Sequence, residues 1–272
     1  MNWTKLGKNT FVAAVGYCNV IQYRLSEHEI VLIDSGSNES DRLFDYLSGQ
    51  GLRTAAVLST HLHIDHIANH KRLSLEHRSR LFAADEDIKG ADNCCEVPVE
   101  PLDLTVPFTI QGHSFELIKT FGHSPGSISI VTPDNVCCIG DAMLSLDELM
   151  PAKLPYMYDA EEGVKSMIKL RSTDYDMYVP SHRELIPRSK LHETADANIE
   201  KEKQIFKDML FFVNKPMDID ECADAYLKHL NINLANRGQP WLNIFRSEVK
   251  TRFKNLCDMD HLVMRGNIIA PN

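Results

Sequence analysis

Apolar and polar positions alternate in short runs through the first half of the chain. Residues 11–15, 19–24 and 29–33 are apolar or alternating, and the last run leads into Asp34-Ser35-Gly36-Ser37. Such runs closed by a turn cluster predict strands. Between residues 40 and 50 the spacing changes, with Leu43, Phe44 and Leu47 on one helical face and Gly49 and Gly51 at the end. That pattern predicts a helix. Residues 55–59 make a short apolar run suited to a buried strand, and further strands are predicted over 80–84, 108–110, 113–119, 127–131 and 136–139. Strands with helices interspersed predict an α/β layered fold.

After about residue 159 helical spacing takes over. A helix is predicted over 161–171 and one last strand over 177–179. Residues 191–213 read as a long charged helix with Ile199, Ile205, Phe206, Met209 and Leu210 roughly on one face. Residues 219–230 read as a second, capped by Asp218 or Asp220, and 241–256 as a third. Residues 261–269 suit a small hairpin turning at Arg265-Gly266-Asn267. The change in pattern predicts a domain over 1–190 and a small, mostly helical one over 191–272.

Composition narrows the function classes. With 272 residues, 43% of them hydrophobic, the chain can bury a full core. No apolar run approaches the roughly 18–20 residues of a membrane span. Met1 to Asn9 lack the apolar stretch and cleavage site of a secretory signal. The expected setting is the cytoplasm, with a small-molecule substrate and no membrane partner. Eleven Lys and Arg stand against 12 Asp and Glu after residue 190, so nearly all of the net charge of -9 lies before it. An acidic body repels phosphate backbones and makes nucleic acid an unlikely partner. The local exception is Arg246, Lys250, Arg252 and Lys254, read as the solvated face of a helix or a contact for an acidic group on substrate or RNA. The seven cysteines include no Cys-x-x-Cys pair, which fits reduced thiols.

The chemistry concentrates in Ser59-Thr60-His61-Leu62-His63-Ile64-Asp65-His66, directly after a predicted strand. His61 and His63 alternate, so on an extended segment they point to one side. Asp65 and His66 follow where a helix would start. A strand-to-helix turn can aim all four at one volume. Imidazole with carboxylate suits zinc, and also iron or manganese.

This segment resembles the His-x-His-x-Asp-His signature of the metallo-β-lactamase superfamily. Four more elements follow that family's order. Leu32-Ile33-Asp34-Ser35-Gly36 resembles its early Asp-x-Gly turn, and Phe121-Gly122-His123-Ser124-Pro125-Gly126-Ser127 its Gly-His-Thr-Pro-Gly-His element. Ile139-Gly140-Asp141 resembles its strand-terminal Gly-Asp, and Pro180-Ser181-His182 its final histidine. The resemblance implies a four-layer αβ/βα sandwich with a helical or winged-helix-like tail. It implies two ions, zinc first. His61, His63 and His123 would hold one, Asp65, His66 and His182 the other, and Asp141 would bridge them. Asp65 and Asp141 would also serve catalysis around a metal-bridging hydroxide.

Two positions depart from the family. Ser127 stands where many members have a second histidine, and Arg183 where a glycine is common. Outside the ligand set, Asp34 is expected to orient a ligating histidine or brace its turn. His70 is expected to support the ligands or lie on the surface. His28, His77, His113, His192, His229 and His261 read as structural. Tyr156 and Tyr158 either line the cleft or pack.

A bridging aspartate is typical of the family's thioesterases such as glyoxalase II, and of lactonases and phosphoesterases. The expected activity is therefore hydrolysis of a small thioester or related ester. Alternatives are a metallo-phosphodiesterase or ribonuclease, a mononuclear-iron sulfur dioxygenase, and a non-catalytic metal-binding regulator.

Overall fold

The structure, a computed structural model, describes residues 1–90, 93–232 and 239–272. Strands β1 (Thr4–Lys5), β2 (Thr10–Val15), β3 (Cys18–Arg24), β4 (Glu29–Ile33), β5 (Arg53–Leu58), β6 (Arg80–Ala83) and β7 (Glu100–Pro101) form one sheet in that order. Pairing is antiparallel from β1 to β4 and parallel from β4 to β7. A second sheet contains β8 (Phe108–Ile110), β9 (His113–Lys119), β10 (Ile128–Val131), β11 (Val136–Gly140), β12 (Met177–Pro180) and β13 (Ile186–Pro187), also in chain order. Only its β11–β12 pair is parallel.

Successive side chains of a strand point to opposite faces. On β3, β4 and β5 this divides the apolar residues into two sets. Ile21, Tyr23, Val31, Ile33, Ala56 and Leu58 meet Phe115, Ile128, Ile130, Val136, Cys138 and Val179 of the second sheet. Val20, Ile30, Leu32 and Val57 face the other way. They pack on Leu43, Phe44 and Leu47 of α1 (Asp41–Gly49) and on Leu73, which lies past the short α2 (Ile64–Ile67) in α3 (His70–His77). Each large side chain so buried contributes roughly 1.5–3 kcal/mol.

The second sheet is covered in the same way. Beyond α4 (Asp85–Ile88) and α5 (Leu146–Leu149) comes α6 (Ala160–Arg171), and then α7 (Leu191–Phe212). Val131, Cys137, Ile139 and Tyr178 pack on Met167 and Leu170 of α6 and on Leu191, Ala195 and Ile199 of α7. The α6 start is set by Asp159, whose carboxylate accepts from the Glu161 and Glu162 N–H groups at 3.1 Å. The layers run helix, sheet, sheet, helix, the order that the family resemblance implies.

The C-terminal part is built on helices. α7 runs from one core into another: Ile205 and Met209 on its second half pack with α8 (Ile219–His229) and α9 (Gln239–Asp258). Asp218, rather than Asp220, caps α8. The predicted hairpin is β15 (Leu262–Arg265) and β16 (Ile268–Pro271), turning at Gly266, with β14 (Met217–Asp218) added to its edge. Among the described residues no helix is long and apolar enough to cross a membrane.

Within the basic stretch of α9, Lys254 is exposed but Arg252 departs from a solvated face. Arg252 is fully buried, because Val249, Arg252, Phe253 and Leu256 recur at helical spacing on the packed face. Its guanidinium meets Glu202 of α7 and Glu248, one turn back on α9. Arg246 pairs with Asp224, and Lys250 with Asp220 at 2.7 Å.

Candidate metal centre

The residues of the sequence motifs come from loops at one end of the sandwich. His61 and His63 follow β5, and Asp65 and His66 lie in α2. His123 sits in the β9–β10 loop, Asp141 directly follows β11, and His182 lies just past β12. β-pairing aligns the strand ends, so residues about 120 apart in sequence share one volume.

The structure brings all seven together. Donor atoms of His61, His63 and His123 lie within 4.8 Å of one another. So do those of His61, His66 and Asp141, and those of Asp65, His66 and His182. His63 Nδ1 is 3.0 Å from His123 Nε2. Asp141 stands between the groups. Its Oδ2 is 3.3 Å from His123 Nε2 and 3.6 Å from His66 Nε2, while Oδ1 is 3.7 Å from His182 Nε2. His182 Nε2 is also 3.6 Å from Asp65 Oδ2. Donors about 2.0 Å from one tetrahedral zinc ion are about 3.3 Å apart. The spacings observed are close to that.

The far side of each imidazole is engaged too. His66 Nδ1 donates to Asp34 Oδ2 at 3.0 Å, and His182 Nδ1 to the Tyr17 carbonyl at 3.1 Å. His61 Nδ1 lies 3.1 Å from Thr60 Oγ1, and the His123 ring bonds the Tyr156 carbonyl. These contacts turn the other nitrogens toward the centre. His61 Nε2 and His66 Nε2 are buried and have no hydrogen-bond partner in the protein. A buried polar atom without a partner is costly, so two of them facing the same small volume mark a place built for an added group.

Charge follows the same geometry. Burial, helped by the neighbouring imidazoles, holds His61 well below the usual histidine range and His63 at about 4. Burial also lowers His123, against the pull of Asp141. Asp141 is held well below the usual carboxylate range, since His123, His66 and His182 outweigh its burial. Asp65 is lowered as well, burial being outweighed by His182 and His66. Lone-pair imidazoles and ionised carboxylates are the states a divalent ion requires. His66 and His182 differ: Cys18, Asp141 and Asp34 outweigh burial and hold His66 well above the usual histidine range, and contact with Asp65 and Asp141 outweighs burial and pushes His182 up to about 9.

Asp34 is buried in a left-handed conformation at φ 58°. It accepts from the Thr60 N–H and hydroxyl, both at 2.8 Å, as well as from His66. The expected bracing role is thus what the structure displays. His70 is buried between the Ser35 and Ser59 hydroxyls, each at 2.8 Å. It supports the turns beneath the ligands and is not on the surface. Tyr156 lies against His63 and His123, whereas Tyr158 is exposed. His113 bonds the Tyr23 hydroxyl and His77 the Thr54 N–H, both structural contacts. Ser127 is buried, its hydroxyl donating to the Thr120 carbonyl at 2.9 Å. Arg183 is exposed at φ 61°, a left-handed conformation that glycine adopts most readily.

Two supporting residues have no counterpart in the sequence reading. Asp87 of α4 accepts from the Leu62 N–H at 3.2 Å, the Ser124 hydroxyl at 2.9 Å and the Gly126 N–H at 2.7 Å. It thereby joins the His61–His63 loop to the His123 loop. Asn19 donates from Nδ2 to the Pro180 and Arg183 carbonyls at 2.9 and 3.1 Å, holding the His182 loop. Asp87 sits inside an Asp-Glu-Asp run, and nothing local sets it apart from its neighbours.

Comparison with known proteins agrees with this geometry. The profile of the Metallo-beta-lactamase superfamily matches residues 13–182. A hydroxyacylglutathione hydrolase of Shewanella sp. (strain ANA-3) is 28% identical over 130 residues, covering 44% of this chain and 45% of the relative. A probable metallo-hydrolase of Bacillus subtilis (strain 168) is 27% identical over 126 residues, 41% of this chain and 59% of the relative. The chain thus spans less than two thirds of the length of either. A hydroxyacylglutathione hydrolase of Prochlorococcus marinus (strain MIT 9301) is 25% identical over 227 residues, 81% of this chain and 87% of that one. Among solved structures, a metallo-beta-lactamase family protein of Thermus thermophilus superposes with a TM-score of 0.73 at 14% identity, covering 97% of this chain and 98% of that one. This likeness extends through the C-terminal helices. The chain belongs to the metallo-β-lactamase superfamily.

Proposed function

We propose that the chain is a di-metal hydrolase of a small thioester or related ester. His61, His63 and His123 hold one divalent ion, Asp65, His66 and His182 the other, and Asp141 reaches both. Zinc is the first choice for this mix of imidazole and carboxylate, with iron and manganese compatible. The observation that carries the reading is the pair of buried, unpartnered nitrogens, His61 Nε2 and His66 Nε2, amid five further donors. Residues 1–190 supply every ligand in this reading, and 191–272 form a smaller helical part beside them.

When bound, such ions acidify water and polarise a carbonyl oxygen. The chain's own groups do the rest. Asp65, partly exposed at the mouth of the centre, is placed to accept a proton from water at a carboxylate oxygen. Tyr156 and His63 shape the approach to the His123 side. The thioester class is supported by two relatives named for hydrolysis of an acylated glutathione, since such an acyl group is carried on sulfur.

Metal analysis of the purified chain, coupled to a panel of thioesters, lactones, phosphodiesters and β-lactams, tests the proposal. Two zinc ions per chain with thioester turnover are expected. One iron with oxygen uptake, or turnover of phosphodiesters alone, would overturn it.

A further inference from the structure

Residues 153–159 run between the candidate centre and the C-terminal helices. The Tyr158 and Asp159 N–H groups donate to the His123 and Gly122 carbonyls at 3.3 and 2.9 Å, and other contacts go to the helical side. Lys153 Nζ donates to the Asn231 carbonyl at 3.0 Å, and Leu154 packs into the C-terminal core. The Pro155 carbonyl accepts from Arg252 Nη2 at 2.7 Å, and the Met157 backbone N–H interacts with the Glu248 carboxyl. Asn255 Nδ2 donates to Asp159 Oδ1 at 3.2 Å. Tyr156, between two of these anchors, turns to the centre. Its ring meets His63 and His123 edge-on, with centroids 5.6 and 5.1 Å apart, and its carbonyl accepts from the His123 imidazole.

Arg252 is the main anchor. Its Nε and Nη2 donate to Glu202 at 3.1 and 3.0 Å, and Nη1 to Glu248 at 2.8 Å. All three side chains are withdrawn from water. Desolvating such a cluster can cost more than its attraction returns, and apolar residues of similar volume often serve stability as well. Stability alone is therefore a weak reason for an arginine here. Apolar residues could not donate to the Pro155 carbonyl.

We propose that Arg252 is a positioning residue for the metal centre: by holding the Pro155 carbonyl it fixes the segment whose Tyr156 carbonyl orients His123. The C-terminal helices thus bear on one end of the centre, that of His61, His63 and His123. This inference rests on the reading of that end as a metal site.

The test uses the full-length chain, zinc ions and a competing chelator. One variant, Arg252→Lys, keeps the positive charge that the two carboxylates need. The other combines Glu202→Gln, Glu248→Gln and Arg252→Met, removing the cluster at similar volume. The lysine variant keeps the test decisive where the triple variant does not fold. The expected result is a single cooperative melting transition, with affinity for one of the two ions reduced at least about tenfold. The other ion should bind as before. In a His123→Ala background the same changes should no longer alter zinc binding, because the coupled ligand is absent. A parent protein that binds no zinc would refute the metal-site reading itself. A parent that binds two ions, with variants that bind both as tightly or lose both equally, would overturn the role of Arg252 alone.

Discussion

Removing the Asp87 carboxylate should damage both stability and metal loading, and the size of the effect follows from its contacts. Asp87 is 4% exposed and receives three hydrogen bonds, from Leu62 N, Ser124 Oγ and Gly126 N. Asp87→Ala leaves three donors without their acceptor. Each orphaned buried donor costs about 1–3 kcal/mol. Two effects keep the total near the low end. Water can enter beside a deleted polar side chain. The carboxylate is also not ideally placed, since burial raises its pKa against the help of Ser124 and Gly126. A loss of about 3 kcal/mol is expected, or about 6–9 °C in Tm for a chain of this size. Leu62 lies between His61 and His63, and Ser124 and Gly126 flank the His123 turn. Slackening them should weaken the first ion about tenfold. Asp87→Asn retains one accepting oxygen and should fall between parent and alanine variant. Calorimetric melting and zinc competition would measure both effects. An Asp87→Ala protein that melts within 1–2 °C of the parent, on the scale just used, and loads zinc equally would refute the reasoning.

Three other perturbations have defined outcomes. Gly122 has φ +133°, and an added Cβ would lie 2.4 Å from Gly163 N and Cα; Gly122→Ala should cost about 3 kcal/mol and displace His123, visible as a lower Tm together with reduced metal content. Burial holds His70 down to about 3, so the unfolded chain, with histidine near 6.5, binds the extra proton between those values. Stability from a neutral His70 is present above about 6.5 and is lost as pH falls, by about 2 kcal/mol at pH 5. Urea unfolding at pH 7 and pH 5 should therefore show His70→Asn costing about 2 kcal/mol less at the lower pH, and an equal cost at both would contradict this. Asp141→Asn should lower the retained metal and cut turnover by at least about a hundredfold, because the amide offers a single weaker oxygen where Asp141 presents two; unchanged metal content by elemental analysis would count against the bridging role.

Much of the architecture was readable from the chain because its causes are local and periodic. Alternation on residues 19–24 and 29–33 sets which side chains enter the space between the sheets, and a one-residue slip would reverse every one of them. Leu43, Phe44 and Leu47 identify α1 for the same reason, at a helical period. His61, His63, Asp65 and His66 were visible as one dense motif after a predicted strand, and His123, Asp141 and His182 through the family resemblance of their own short motifs. How those motifs meet is another matter. The approach of His63 to His123, and of Asp141 to His66 and His182, depends on sheet pairing between distant segments. Asp87, Asn19 and Arg252 carry no local mark at all. Arg252 shares its composition with the solvated Lys254 two residues on, yet one is wholly buried and the other exposed. Burial of a charged side chain is decided by the partners that surround it. Glu202 lies fifty residues upstream and Pro155 ninety-seven, and only the packing of α7 and α9 brings them to the same guanidinium.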